Sequence, residues 1–250
     1  MKIRLGHLYP EYLNIYADRG NIAVLARRAA RRGYELDVQS IGIGDSLDPA
    51  GHDLLYIGGG QDREQGLIAP DLAAKSDAIR VAHDRGVALL AVCGGYQLLG
   101  RGYRGRDGSF MPGAGLFAHE TVAGDVRMIG DVLLECQLSP GRTVEVAGFE
   151  NHAGRTILDD GAEPFGRVVH GFGNDGSSGF EGCLLGRAIG TYLHGPLLPR
   201  NPVLADWLLA QAVAHATGGG SPDLSPLPDE LEREAFRVAA ERARKRGGRR

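Results

Sequence analysis

The sequence predicts an α/β fold: a mainly parallel twisted sheet flanked by helices, with an added β-rich segment. Three observations carry this. Short apolar runs alternate with helical patterns through the first hundred residues, an order that builds βαβ units and a parallel sheet. One such run, Leu89–Leu90–Ala91–Val92, stops at Cys93–Gly94–Gly95 and passes directly into the short helical segment Tyr96–Leu99. From about Phe117 to Leu193 the pattern changes to β segments separated by glycine-rich turns.

In chain order, Ile3–Leu8 predicts the first strand. Asn21–Arg32 predicts a helix, apolar at Ile22, Leu25 and Ala29 and closed by Gly33. Leu36–Ile41 and Leu54–Ile57 predict the next two strands, the latter ending in Gly58–Gly59–Gly60. A helix is expected over Leu67–Arg85, closed by Gly86, before the strand that leads into Cys93. The later β segments are Ala118–Val122, Val132–Leu138, Thr143–Phe149, Arg167–Phe172 and Leu184–Tyr192. Pro202–His215 reads as a final helix carrying the single tryptophan, Trp207. Residues 1–217 therefore form the expected domain. From Gly218, a Gly/Pro-rich stretch and a charged helical segment read as a linker and a mobile or partner-binding tail, 218–250.

At 250 residues the chain can bury a full core. Hydrophobic and charged fractions of 43% and 24% are those of an ordinary globular protein. A net charge of −3 leaves no electrostatic footprint for nucleic acid. No apolar run approaches the roughly 20 residues that span a bilayer, and Met1–His7 reads as a strand rather than a leader peptide. Three cysteines, Cys93, Cys136 and Cys183, are few and odd in number, which predicts no disulfide framework and a reducing, cytoplasmic setting. Zinc-type Cys/His spacings, a Walker loop and a GxGxxG after a strand are all missing, so neither metal nor nucleotide is expected on this chain.

The strand–Cys93–glycine–glycine–helix layout is that of a nucleophile elbow, a tight turn that lifts one reactive side chain clear of its neighbours. At a helix N-terminus the unpaired amides and the dipole favour a thiolate. A thiolate nucleophile needs a base, amide donors for an oxyanion and a group that orients the base. Of the eight histidines, His194 follows the apolar run Ala188–Leu193 and precedes Gly195–Pro196, at a strand end where the chain turns away. His152, in Gly148–Phe149–Glu150–Asn151–His152, competes with it. His7 lies in the first strand, His83 and His215 on helices, His52 in a loop, and His119 and His170 in β segments. Gly58–Gly60 and the amide of Gly94 are the expected oxyanion donors. Cys136 and Cys183 sit in apolar strand contexts and read as packed, inert thiols.

Together, Ile57–Gly58–Gly59–Gly60–Gln61–Asp62, Cys93–Gly94–Gly95–Tyr96–Gln97 and Tyr192–Leu193–His194–Gly195–Pro196 resemble the class I (triad) glutamine amidotransferases, in the CobB/CobQ-like branch. Within that branch, Leu13–Asn21 and Gly148–His152 resemble the glutaminase subunits of lipid II isoglutaminyl synthases. The resemblance implies a flavodoxin-like fold and L-glutamine as substrate. It implies Cys93 as nucleophile, His194 as base, and Gly59, Gly60 and Gly94 as the oxyanion hole. Gln97 would flank the glutamine, and Arg127 would hold its α-carboxylate, as a guanidinium fork suits a carboxylate. The family usually places an acid two residues after the histidine; Pro196 stands there. The orienting acid is therefore expected from Asp18, from Glu150 or from a partner subunit.

The implied partner is a MurT-like Mur-ligase subunit in a heterodimer, binding ATP and magnesium and amidating the D-glutamate α-carboxylate of the stem peptide. Lipid II would bring the complex to the inner membrane face indirectly, with the basic tail touching partner or membrane. Two alternatives stand beside this reading: an amidotransferase subunit for a cobyrinate-type acceptor, and a non-catalytic partner module with the same fold.

Overall fold

The computed structural model of the protein describes residues 1–15, 18–139, 141–194 and 196–246. Its first part runs β1 (Lys2–Leu8), α1 (Arg19–Ala30), β2 (Glu35–Ile41), β3 (Leu54–Ile57), α2 (Asp62–Ala74), α3 (Ser76–Asp84), β4 (Ala88–Val92) and α4 (Gly94–Leu99). The β-rich part follows: β5 (Gly102–Arg104), β6 (Phe110–Pro112), β7 (His119–Ser139), β8 (Arg142–Leu158), β9 (Gly166–His170), β10 (Phe180–Glu181), β11 (Cys183–Leu185) and β12 (Ala188–Thr191). A 3-10 turn at Leu198–Arg200, α5 (Pro202–Thr217) and α6 (Glu230–Arg246) complete the chain.

One sheet has the order β11-β12-β4-β3-β1-β2. All its neighbours pair in parallel except β11 with β12, as the alternation of strands and helices predicts. Every residue of β3, β4 and β12 is buried, which is why these strands read as unbroken apolar runs. The C-terminal ends of β1, β3, β4 and β12 open onto one edge, the place where open α/β sheets put their sites. The second sheet, β10-β9-β7-β5-β6 with β8 paired to β7, covers that edge. An isolated bridge between Phe149 of β8 and His194 ties the two together.

Two sequence expectations change in detail. The helix expected over Leu67–Arg85 starts earlier and breaks in two at Lys75, whose backbone leaves helical geometry (φ −87°, ψ 1°) while its ammonium pairs with Asp71. Of the strands expected in the β-rich segment, Ala118–Val122, Val132–Leu138 and Thr143–Phe149 merge into the long antiparallel ladder β7–β8. Arg167–Phe172 corresponds to β9, and Leu184–Tyr192 is divided between β11 and β12. The register of the ladder shifts between Ala123 and Met128, and this bulge interrupts the alternation by which strands are recognised.

A larger correction concerns the C-terminal segment, which is packed rather than mobile. Ala239, Ala240 and Ala243 of α6 are buried against Leu133 of β7 and Ala147 of β8. Arg28 of α1 anchors the stretch before α6, pairing with Asp206 of α5 at 2.6 Å and Asp229 at 2.7 Å. Arg32 adds a contact to Asp206 at 2.8 Å and another to the Ser225 carbonyl at 2.9 Å. The many charges of this segment conceal a narrow stripe of small residues, enough to seat a helix on a sheet. Gly247–Arg250 lie outside the described residues. Among those described, no helix is long and apolar enough to cross a membrane.

Candidate active site

Cys93 is the N-cap of α4 and has φ 48°, ψ −105°. Among the described residues only Tyr9 shares a positive φ without being glycine. Such strain in a non-glycine residue persists only where the surroundings enforce it. Here the enforcing contacts are main-chain ones: the Cys93 amide donates to Thr191 at the end of β12 (2.7 Å), and its carbonyl accepts from Gln97 (2.9 Å). Gly95 follows because a Cβ there would lie 2.8 Å from the Gly58 carbonyl. The thiol, 5% exposed, is thus presented at the tip of β4.

His194 comes from the loop after β12, its amide donating to the Phe149 carbonyl at 2.7 Å. The imidazole is held between Cys93 and Asp18, with Nδ1 3.7 Å from Asp18 Oδ1. Burial alone would push it down, but the charge of Cys93 and the contact with Asp18 outweigh burial and raise its pKa to about 10. Both neighbours thus favour the protonated imidazole.

Asp18 is fully buried, and its second oxygen, Oδ2, accepts the Gly59 amide at 2.7 Å. Tyr56 of β3 donates its hydroxyl to the Asp18 carbonyl (3.1 Å) and accepts from Asn21 (3.1 Å), while Asn21 Oδ1 accepts the Leu198 amide beyond His194 (2.8 Å). The loop that carries Asp18 is thereby fastened both to the sheet and to the histidine loop. Tyr16, Ala17 and Gly195, which belong to the quoted motifs, lie outside the described residues.

The other acid considered, Glu150, points elsewhere. Its carboxylate accepts the amides of Phe172 (2.7 Å) and Gly173 (3.0 Å) and lies 3.6 Å from His152 Nε2. His152 stacks on Tyr192 at 3.5 Å and 5°, with Nδ1 2.8 Å from the Gly154 carbonyl. His152 forms part of the cavity wall, whereas His194 contacts Cys93.

Triple glycine is needed after β3 for room. A Cβ on Gly58 would meet the Leu13 carbonyl at 2.3 Å, on Gly59 the His194 Cε1 at 2.8 Å, and on Gly60 the Leu13 Cδ2 at 2.3 Å. The Gly59 amide, expected as an oxyanion donor, is already given to Asp18. The Gly60 amide nitrogen lies 3.0 Å from where a Gly94 Cβ would sit, against the turn that follows Cys93.

These groups open into a cavity of about 740 Å³ whose lining includes Gly60, Gln65, Cys93, Gln97, Arg127 and His152. Gln97 is held by its Nε2 on the Tyr192 hydroxyl (3.1 Å), which also contacts Thr156 Oγ1 (2.6 Å). Arg127 lies within the register shift of the β7–β8 ladder and is oriented by Asn151, through its side-chain oxygen (3.0 Å) and its carbonyl (3.2 Å). Cys93, His194, Asp18, Gly60, Gly94, Gln97 and Arg127 thus meet at one site, while Glu150 and the Gly59 amide are engaged in other bonds. Sequence reasoning passed over Tyr192, Asn151 and Gln65. Gln65 had a signal, since it falls one helical turn after Gln61 at the start of α2.

Cys136 and Cys183 are buried, and burial pushes both thiols up, Cys183 to about 12. That is the behaviour of packed sulfur.

Comparison with known proteins shows what the chain is similar to. The chain is 37% identical over 218 residues to the GatD subunit of the glutamine-hydrolysing lipid II isoglutaminyl synthase of Streptococcus pneumoniae, covering 87% of this chain and 83% of that protein. It is 35% identical over 243 residues to the same subunit from Staphylococcus aureus, covering 97% and 96%. A probable cobyric acid synthase of Methanothermobacter thermautotrophicus is 35% identical over 202 residues, which span 72% of this chain but 39% of that protein. Among solved structures, PurLQS from Thermotoga maritima superposes with a TM-score of 0.55 at 18% identity, over 85% of this chain and 96% of that one, a likeness of fold. The CobB/CobQ-like glutamine amidotransferase domain matches residues 4–202, so the chain belongs to that family.

Proposed function

We propose that this protein is the glutaminase subunit of a lipid II isoglutaminyl synthase. The observation that carries this reading is the similarity to two such subunits over nearly the whole of both chains, against little more than a third of the cobyric acid synthase. The site supports the chemistry that the reading requires.

In this mechanism Cys93 sulfur attacks the γ-carboxamide carbon of L-glutamine. The developing oxyanion is met by the amides of Gly60 and Gly94, whose preorganisation removes the reorganisation that water would need. His194 passes its proton to the departing nitrogen and ammonia leaves, with a γ-glutamyl thioester on Cys93. Water then attacks the thioester, His194 takes its proton, and glutamate is released. Asp18 orients the imidazole and stabilises its charge, the part that the family's missing acid at Pro196 leaves open. Arg127 binds the α-carboxylate of glutamine and Gln97 flanks the substrate.

The ammonia goes to a MurT-like, Mur-ligase-type partner. That partner binds ATP and magnesium and activates the D-glutamate α-carboxylate of the lipid II stem peptide, giving D-isoglutamine. The test is ammonia release from L-glutamine by the purified chain, alone and with the co-purified ligase subunit, beside Cys93→Ala. The wild type is expected to release ammonia in at least one preparation, and the variant to lose about 10⁴-fold or more, the scale of removing a covalent nucleophile. Silence in both preparations overturns the reading.

A further inference from the structure

Gln65 of α2 is 2% exposed and lines the cavity beside Cys93 and Gly60. Its Nε2 donates to the Gly60 carbonyl at 3.2 Å. A carbonyl accepts only, so this contact settles which end of the amide is nitrogen and leaves Oε1 as the other. Oε1 is buried and has no hydrogen-bond donor among the described residues. A buried acceptor without a donor is costly, and in native proteins it calls for an explanation. The head of this side chain packs against the nucleophile turn: a Cβ on Gly94 would lie 3.0 Å from Gln65 Cδ and 3.0 Å from Nε2. The amide head of Gln65, with its unpaired acceptor, is therefore fixed between the Gly60 loop and the turn that follows Cys93, at the wall of the cavity.

We propose that Gln65 selects the carboxamide: its Oε1 accepts a hydrogen bond from the γ-amide N–H₂ of bound glutamine and disfavours the γ-carboxylate of glutamate. This rests on glutamine being the substrate and adds the residue that tells substrate from product. The two differ at one position, an N–H₂ donor in glutamine and an acceptor-only oxygen in glutamate. Gly60 and Gly94 are donors and serve either compound, so they cannot discriminate. A fixed acceptor at the second position can, because it pairs with N–H₂ and repels a carboxylate oxygen. The same contrast helps glutamate leave after the thioester is hydrolysed.

The test is calorimetric binding of L-glutamine and L-glutamate to the full-length Cys93→Ala protein, alone and with the ligase subunit, with Gln65→Met and Gln65→Glu added. Methionine keeps the length and apolar stem but removes the acceptor. The preference for glutamine over glutamate is expected to fall about 10-fold or more in Gln65→Met, mainly through weaker glutamine binding. Gln65→Glu keeps acceptor oxygens and is expected to retain the preference, even where both affinities fall through loss of the Gly60 contact. Equal losses for both ligands in Gln65→Met, or a preference lost in both variants, would make the residue merely structural and overturn the proposal. No glutamine binding by Cys93→Ala in either preparation overturns the glutaminase reading along with it.

Discussion

The parallel sheet and the antiparallel ladder meet at the cavity, but they hold their residues differently. Cys93, His194 and Gly60 follow the ends of β4, β12 and β3, and Asp18 caps α1 after the loop from β1. Each is buried, fixed by main-chain bonds, or crowded so tightly that a Cβ on Gly59 would touch the His194 ring. Arg127 and Asn151 project from the bulged part of β7–β8, where Arg127 is exposed and steered by Asn151. On the proposed mechanism, reacting groups come from the over-determined part of the molecule and substrate-binding groups from the part that can adjust. A step that tolerates little misplacement needs the first kind of support, and a binding contact can use the second.

The sharpest way to break that contrast is at Asp18. Asp18→Asn keeps an oxygen for the Gly59 amide and removes the charge beside His194. The His194 pKa is raised from the ordinary 6.5 to about 10 against a burial effect that lowers it, by Cys93 and by Asp18. Because the folded value lies above the unfolded one, the bound proton stabilises the fold fully below pH 6.5, and that contribution is lost as pH rises through about 10. The alkaline limb of kcat/KM is accordingly expected near pH 10 in the wild type. In Asp18→Asn it should move toward 6.5 while kcat falls on the order of 10²–10⁴-fold, the range of a positioned acid–base group. A pH–rate profile unchanged in position would assign the orienting acid to the partner subunit.

The same contrast explains what was legible in the sequence. Strand ends that deliver reacting groups follow apolar runs and carry glycines for lack of room, so β1, β3, β4 and β12, with Cys93, His194 and the glycine loop, stand out in the linear chain. Asp18 is visible in the sequence only as one of two candidate acids beside a partner's residue, because its pairing with His194 is made by a fold contact 176 residues apart in numbering. That the other oxygen of Asp18 already engages the Gly59 amide likewise has no trace in sequence. On the ladder, the bulge between Ala123 and Met128 breaks the period of two, so the long strands read as fragments. The tail misled in a different way: its charge run suggested solvent, while the alanines at 239, 240 and 243 and the anchor at Arg28 depend on partners that only the fold supplies.

Arg127 probes the adjustable side. Arg127→Ala removes a guanidinium that Asn151 steers over the cavity, so its cost should appear in substrate binding. KM for glutamine is expected to rise roughly 10- to 100-fold, as for a lost charged hydrogen bond of about 1.5–3 kcal/mol, with kcat changed less than about threefold. Arg127→Lys should recover only part of the loss, because a point charge does not reproduce a fork. A fall in kcat with KM unchanged would place Arg127 among the reacting groups and erase the distinction between the two regions.

The smallest effect on chemistry, and a separate one on stability, is expected at Arg28. Its guanidinium is 4% exposed and pairs with Asp206, 27% exposed, and Asp229, 11% exposed. Arg28→Leu leaves Asp229 without this cation, while Arg32 still serves Asp206. Removing one partner of a buried pair destabilises by about 3–5 kcal/mol when the other charge is fully enclosed. With both carboxylates partly solvated and one still paired, about 2–3 kcal/mol is the expected loss, a drop of roughly 4–12 °C in Tm for a chain of this size. The stretch before α6 should loosen first, because Arg28 ties Asp229 to the body immediately ahead of that helix. Below the new melting point, ammonia release should stay within twofold of wild type, since Cys93, His194 and Asp18 are fastened through β4, β12 and Tyr56 and not through α6. A Cys93 alkylation rate that falls in step with protection of the α6 amides from hydrogen exchange would show the opposite, with the tail helix setting the geometry of the nucleophile through the Leu198–Arg200 turn.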